Sequence, residues 1–285
     1  MNDTIRRKAI ALYDRFTHEG MERRAFMSEM ATIAGSLAAA EMLIAGIAAS
    51  PAAAAVVPED DKRLTTGMQT IAGYKAYVAQ PRTRSLKPTV LVIHENRGLN
   101  AHTRDVARRV ALAGYRAVAP DMLSLVGGTP ADEDKARDMI GKLDLGETVA
   151  DAVTMIGTLA PSSRGGKVGA VGFCWGGGFV NRLAVAGGNS LDAGVVYYGP
   201  APDPSEAARV QAPLMIHHAG RDARIAQTLW PWVEALRAAG KRVTYYSYAD
   251  ADHAFNNDTS AERYNKAAAE LAWERTLRFF RTNLR

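Results

Sequence analysis

The stretch Lys167–Gly178, Lys-Val-Gly-Ala-Val-Gly-Phe-Cys-Trp-Gly-Gly-Gly, constrains the fold more than any other in the chain. A short apolar run ends in Gly172-Phe173-Cys174-Trp175-Gly176, and a helix-like segment follows from about Phe179. This is the strand, sharp turn and helix setting in which a Gly-x-nucleophile-x-Gly pattern has mechanical meaning. The turn forces its central residue into a strained backbone conformation, and the flanking glycines remove the Cβ atoms that would clash there. The Cys174 thiol would then stand at a helix N-terminus, whose dipole favours the thiolate. The alternative reading is a buried strand and a glycine-rich turn, with a cysteine that only packs.

The surrounding pattern extends the first reading. Residues 89–94, Thr-Val-Leu-Val-Ile-His, form a nearly continuous β-branched run, as expected for a strand buried on both faces. Residues 70–79 read as an edge hairpin around Gly73. Helical patterns at 103–113, 132–143, 147–159, 179–186, 225–239 and 262–280 alternate with strand patterns at 115–119, 168–173, 193–198, 214–218 and 243–248. Strands alternating with helices imply an α/β fold with a mostly parallel sheet covered on both faces. A chain of 285 residues, 47% hydrophobic and 23% charged, is long enough for one such domain.

Composition narrows the function. The one Cys excludes a disulfide framework and a zinc site of several cysteines. The net charge of +5 is spread beyond residue 55, because the six Lys/Arg and six Asp/Glu of residues 1–55 cancel. No basic block or aromatic-interleaved stripe points to nucleic acid. Residues 1–55 form a separate amino-terminal segment, and 56–285 the main domain. Glu22-Arg23-Arg24-Ala25-Phe26 precedes an Ala-rich apolar stretch, 31–49, then Pro51 and the run Ala52 to Ala55. This resembles a twin-arginine export signal, cleaved after Ala54 or Ala55 to give a periplasmic protein. The alternative is a helical arm on a cytoplasmic protein, since residues 2–18 read as an amphipathic helix and Glu41 interrupts the apolar stretch. The same Glu41 argues against a membrane anchor.

In parallel α/β sheets the chemistry sits in loops at the carboxyl ends of strands. Four residues occupy such places: Glu95 after 89–94, Cys174 after 168–173, Asp222 after 214–218, and His253 after 243–248. Nucleophile, acid and then His is the chain order of the α/β-hydrolase fold. His253 would take the thiol proton and later activate water, and Asp222 would fix its tautomer. Donors for the developing oxyanion would be the backbone N–H of Trp175 and, from the loop after 89–94, that of Asn96. Each residue has another reading. Asp222 can be a helix N-cap and His253 a solvated loop residue; Asp250 or Asp252 can be the acid. His94, His217 and His218 read as strand residues, and His102 as surface polarity at a helix start.

With these residues in place the chain resembles the dienelactone hydrolase family, the cysteine-dependent branch of the α/β-hydrolases. The matching segments are His94-Glu95-Asn96-Arg97-Gly98-Leu99-Asn100, Ala119-Pro120-Asp121, Gly169 to Gly177, Tyr197-Tyr198-Gly199, Gly220-Arg221-Asp222 and Asp252-His253-Ala254-Phe255. The resemblance implies a Cys174-Asp222-His253 triad cleaving a small ester or lactone through a thioester, without metal or organic cofactor. It also implies that Glu95 holds the resting thiol, a latency that protects it from oxidation. The family's two carboxylate-binding arginines would fall near Leu125 and Asn257, which carry no charge. Arg97 is a possible substitute, and Tyr198 a second substrate contact. Two rival readings are a broad carboxylesterase on uncharged esters and a non-catalytic binding protein with a redox-sensitive thiol.

Overall fold

The computed structural model describes residues 3–48, 55–83 and 85–284. Ala54, one of the two expected cleavage points, and Asn2 lie outside the described residues. Three helices come first: α1 (Asp3–His18), α2 (Arg23–Ala34) and α3 (Leu37–Ile47). The elements β1 (Leu64–Ile71), β2 (Tyr74–Pro81), β3 (Thr89–Ile93), α4 (Ala101–Leu112), β4 (Arg116–Pro120), α5 (Glu133–Ile140) and α6 (Leu145–Leu159) follow. The chain then runs through β5 (Val168–Phe173), α7 (Trp175–Ala186), β6 (Ala193–Tyr197), β7 (Leu214–Ala219), α8 (Ala223–Ala238), β8 (Val243–Tyr248) and α9 (Lys266–Asn283).

These strands make one eight-stranded sheet, ordered β1-β2-β4-β3-β5-β6-β7-β8. Only β2 runs against its neighbours, pairing antiparallel with β1 and β4, and the remaining pairs are parallel. The β-branched residues of β3 alternate between two cores because strand side chains point to opposite faces. Val90 and Val92 pack with Val106 and Val110 of α4 and Phe280 of α9. Leu91 and Ile93 pack on the other face with Met155 of α6, Leu183 of α7 and Trp232 of α8. This is the two-sided α/β architecture expected from the alternating pattern.

Element ends move where capping decides them. Asp222 caps α8 through a bond from the Ile225 N–H, at 3.1 Å, so the helix begins at Ala223. Asn265 caps α9, and residues 262–264, expected to be helical, form a turn and an irregular link before it. His102 is a correction: it is only 5% exposed, and its Nδ1 lies 3.2 Å from Asp258. The loop carrying Asp258 folds over the start of α4 and takes it out of solvent.

α1 to α3 have a small core of their own, built from Ile10, Leu12, Tyr13, Phe16, Phe26, Met30 and Ile47. Phe16 stacks on Phe26 at 4.2 Å between ring centres. Among the described residues no single helix is long and apolar enough to cross a membrane; α2 and α3 pass that test only as a pair, bent by 103°. The end of α1 lies over the carboxyl ends of the strands: the Thr17 carbonyl accepts from Asn96, after β3, and His18 stands beside Cys174, after β5.

Candidate active site

The site is set by the turn from β5 into α7. Cys174 has φ 54 and ψ −116, a left-handed conformation that costs a non-glycine residue about 1–3 kcal/mol. Close backbone packing enforces it. A Cβ on Gly176 would sit 2.4 Å from the His94 carbonyl oxygen, and one on Gly172 would sit 2.0 Å from the Gly176 carbonyl oxygen. The turn is tied to the sheet by a 3.0 Å bond from the Cys174 N–H to the Tyr197 carbonyl. Trp175 is the first residue of α7, and its ring stacks on His94 at 5.6 Å and contacts Phe179 at 5.3 Å.

Asp222 and His253 meet as the chain order suggests. His253 Nδ1 lies 2.6 Å from Asp222 Oδ2, and both side chains are almost fully buried. The other Asp222 oxygen accepts the Ile225 N–H, so this residue is at once N-cap and histidine partner. Burial opposes charge on His253, yet Cys174 and Asp222 outweigh it and raise its pKa to about 10. Burial also pushes the Asp222 carboxyl up, but His253 and Arg224 hold it at about 2. Asp250 bonds Arg221, and Asp252 pairs with Arg6 and Arg221, so neither is the acid on the ring.

Glu95 lies in the same pocket as Cys174. Its carboxylate accepts from Asn257 Nδ2 at 3.0 Å and from the Tyr198 hydroxyl at 3.4 Å. The thiol's own polar contact is different: His18 Nε2, at the end of α1, lies 3.8 Å from Cys174 Sγ. Arg97 spends its charge on Asp134, at 3.1 Å, and donates to the Tyr13 hydroxyl, also at 3.1 Å. Asn96 sends its side-chain N–H to the Thr17 carbonyl at 3.3 Å. His94 and His217 are structural, as their strand positions suggest. His94 Nε2 accepts the Met122 N–H, and His217 is held between Tyr248 and Thr276.

Tyr13, Asp14, Thr17 and His18 of α1 are therefore pocket neighbours that the sequence did not reveal. Arg263 is another: it pairs with Asp14 at 3.4 Å and lies over the Tyr13 ring at 5.2 Å. Asp14 and His18 are four apart, the spacing that puts two side chains on one helix face. That signal was legible, but not which surface the face would meet. With α1 in place the space beside Cys174 is about 20 Å³, room for roughly one water.

Comparisons with known proteins place the chain in a family. The dienelactone hydrolase family profile matches residues 74–284, so α1 to α3 lie outside it. A candidate carboxymethylenebutenolidase of Escherichia coli (strain K12) is 33% identical over 257 residues, covering 82% of this chain and 93% of that protein. One from Saccharolobus solfataricus is 32% identical over 244 residues, covering 73% of this chain and 93% of its own length. The crystal structure of a candidate dienelactone hydrolase from Klebsiella pneumoniae superposes with a TM-score of 0.70 at 28% identity. That match covers 98% of the Klebsiella chain and 76% of this one.

Proposed function

The chain belongs to the dienelactone hydrolase family, and we propose that it cleaves small carboxylic esters or lactones with Cys174 as nucleophile, His253 as base and Asp222 as orienting acid. The observation that carries this reading is the 2.6 Å Asp222–His253 contact beside a cysteine held at positive φ. His253 takes the thiol proton, and the thiolate attacks the substrate carbonyl carbon. The new oxyanion is received by the backbone N–H groups of Trp175 and Asn96. Collapse breaks the acyl C–O bond, and the leaving alkoxide takes the proton from His253. In a lactone that alkoxide stays tethered to the acyl group. Water, deprotonated by His253, then attacks the thioester and returns the thiolate. Amides are poor substrates here, because the thiolate leaves a tetrahedral adduct more readily than an amine anion does.

Glu95 supports the site through Asn257 and Tyr198. Asn257 stands near the position expected for a family arginine, and its amide bonds Glu95. Because the space beside the thiol holds about one water, an ester reaches Cys174 only after α1 shifts. The test is hydrolysis of a p-nitrophenyl ester and of a dienelactone. Cys174→Ala should lose both activities by roughly 10³-fold or more, and Asp222→Asn by up to about 10⁴-fold, as for other triads. Activity retained in Cys174→Ala would sink the mechanism.

A further inference from the structure

The pocket holds a second arrangement that ester cleavage does not use. One donor atom from each of His18, Cys174 and His253 lies within 4.8 Å of the other two, and His18 Nε2 is 3.8 Å from the sulfur. With Zn–S near 2.3 Å and Zn–N near 2.05 Å, a tetrahedral site has S–N edges of roughly 3.6 Å and N–N edges of roughly 3.4 Å. The edges are thus within about 1.4 Å of zinc geometry, a gap for side-chain rotation to close. Thiolate and imidazole are ligands for Zn²⁺ or Cu⁺, and a poor set for Mg²⁺ or Ca²⁺.

Two further features point to a ligand. His253 Nε2 is buried without a hydrogen-bond partner among the described residues, although the side chain is only 2% exposed. Its Nδ1 is held by the Asp222 carboxylate at 2.6 Å, the carboxylate–histidine arrangement that orients metal-binding imidazoles. Nearby cations are committed elsewhere: Arg263 to Asp14, and Arg97 to Asp134.

We propose that His18, Cys174 and His253 form a zinc site that fastens α1 over the pocket. Coordination joins the arm to the loops after β5 and β8 and withholds the only thiol from substrate and from oxidants. Metal binding releases the thiol proton, and the proton of any imidazolium that binds, to solvent. Zinc binding is independent of the proposed hydrolysis; only the accompanying loss of activity rests on it.

The experiment is a titration of the full-length, metal-free protein with Zn²⁺ against a chromophoric zinc indicator, repeated with Co²⁺. Wild type should take one Zn²⁺ per chain and, with Co²⁺, show a thiolate charge-transfer band and tetrahedral visible bands. His18→Ala and His18→Gln should each weaken binding by at least about tenfold, with unchanged circular dichroism, and Cys174→Ala should abolish the charge-transfer band. Equal affinity in both His18 variants would overturn the proposal, as would stoichiometric binding that survives Cys174→Ala. If zinc binds as expected while the metal-free wild type hydrolyses neither the p-nitrophenyl ester nor the dienelactone, the site stands and the hydrolase reading falls.

Discussion

The turn at Cys174 and the arm that covers it are both held tightly, but by different forces. Around the turn, backbone meets backbone: the Ile93 and His94 carbonyls pass so close to Gly176 that a single methyl has no room. Under the arm the contacts are side-chain polar bonds at a rim: Arg6 to the Glu262 carbonyl at 2.6 Å, Asp14 to Arg263, and Asn96 to the Thr17 carbonyl. The arm's apolar residues mostly serve its own core. Close packing cannot yield locally, whereas a ring of polar bonds can be exchanged for water. The difference implies that the turn unfolds with the domain while the arm can release by itself.

The sharpest way to break this contrast is Gly176→Ala. Its new methyl would lie 2.4 Å from the His94 carbonyl and 2.5 Å from the Ile93 carbonyl. Backbone cannot rotate away as a side chain can, so the variant should lose about 3 kcal/mol, the upper end for overpacking. Urea unfolding followed by circular dichroism measures this directly. A variant as stable as wild type would mean that the turn is not held by close packing.

A smaller effect is expected at the rim. Asp14→Asn removes one partner of a largely buried ion pair, a change that can cost several kcal/mol. Here the cost should be lower, because burial already pushes the Asp14 carboxyl up, with His253 and Arg263 only partly offsetting it. At about 1.4 kcal/mol the arm opens roughly tenfold more often. Alkylation of Cys174 by iodoacetamide, read by intact mass, should then speed up by the same factor while the main unfolding transition stays in place. An unchanged rate would show that this pair does not hold the arm. A transition lowered in step with the rate would show that arm and domain unfold together, and the contrast would fail.

The two regions also differ in how far the sequence disclosed them. The β-branched run of β3, the Gly-x-Cys-x-Gly turn and the order Cys174, Asp222, His253 were legible because each is a local pattern with a fixed place in a parallel sheet. Even the competing reading of Asp222 was sound, since one oxygen caps α8 while the other meets His253. The docking of α1 was not legible. An amphipathic helix followed by an Ala-rich apolar helix fits an export leader and a folded arm equally, and nothing in residues 3–18 encodes which distant loops that face will meet. The bond from Asn257 to Glu95 and the pairing of Arg263 with Asp14 went unseen for the same reason: the partners lie 162 and 249 positions apart in the chain. The burial of His102 was missed because the Asp258 loop that covers it is equally remote.

The last expected effect concerns charge at the turn itself. His253 is held at about 10 against an ordinary 6.5, because Cys174 and Asp222 outweigh a burial that alone would lower it. A base raised in this way stabilises the folded protein fully below about pH 6.5, and that contribution is lost as pH climbs through about 10. Asp222, held at about 2 against 3.8, contributes above pH 3.8 and loses its contribution as pH falls through about 2. Both contributions are therefore complete only between about pH 4 and 6.5. His253→Gln removes the first and uncouples the second, so the stability difference from wild type should be largest in that window and shrink from pH 6.5 to 10. The measurement is urea unfolding of both proteins at several pH values. A difference that stays constant up to pH 10 would mean that His253 is neutral in the resting protein.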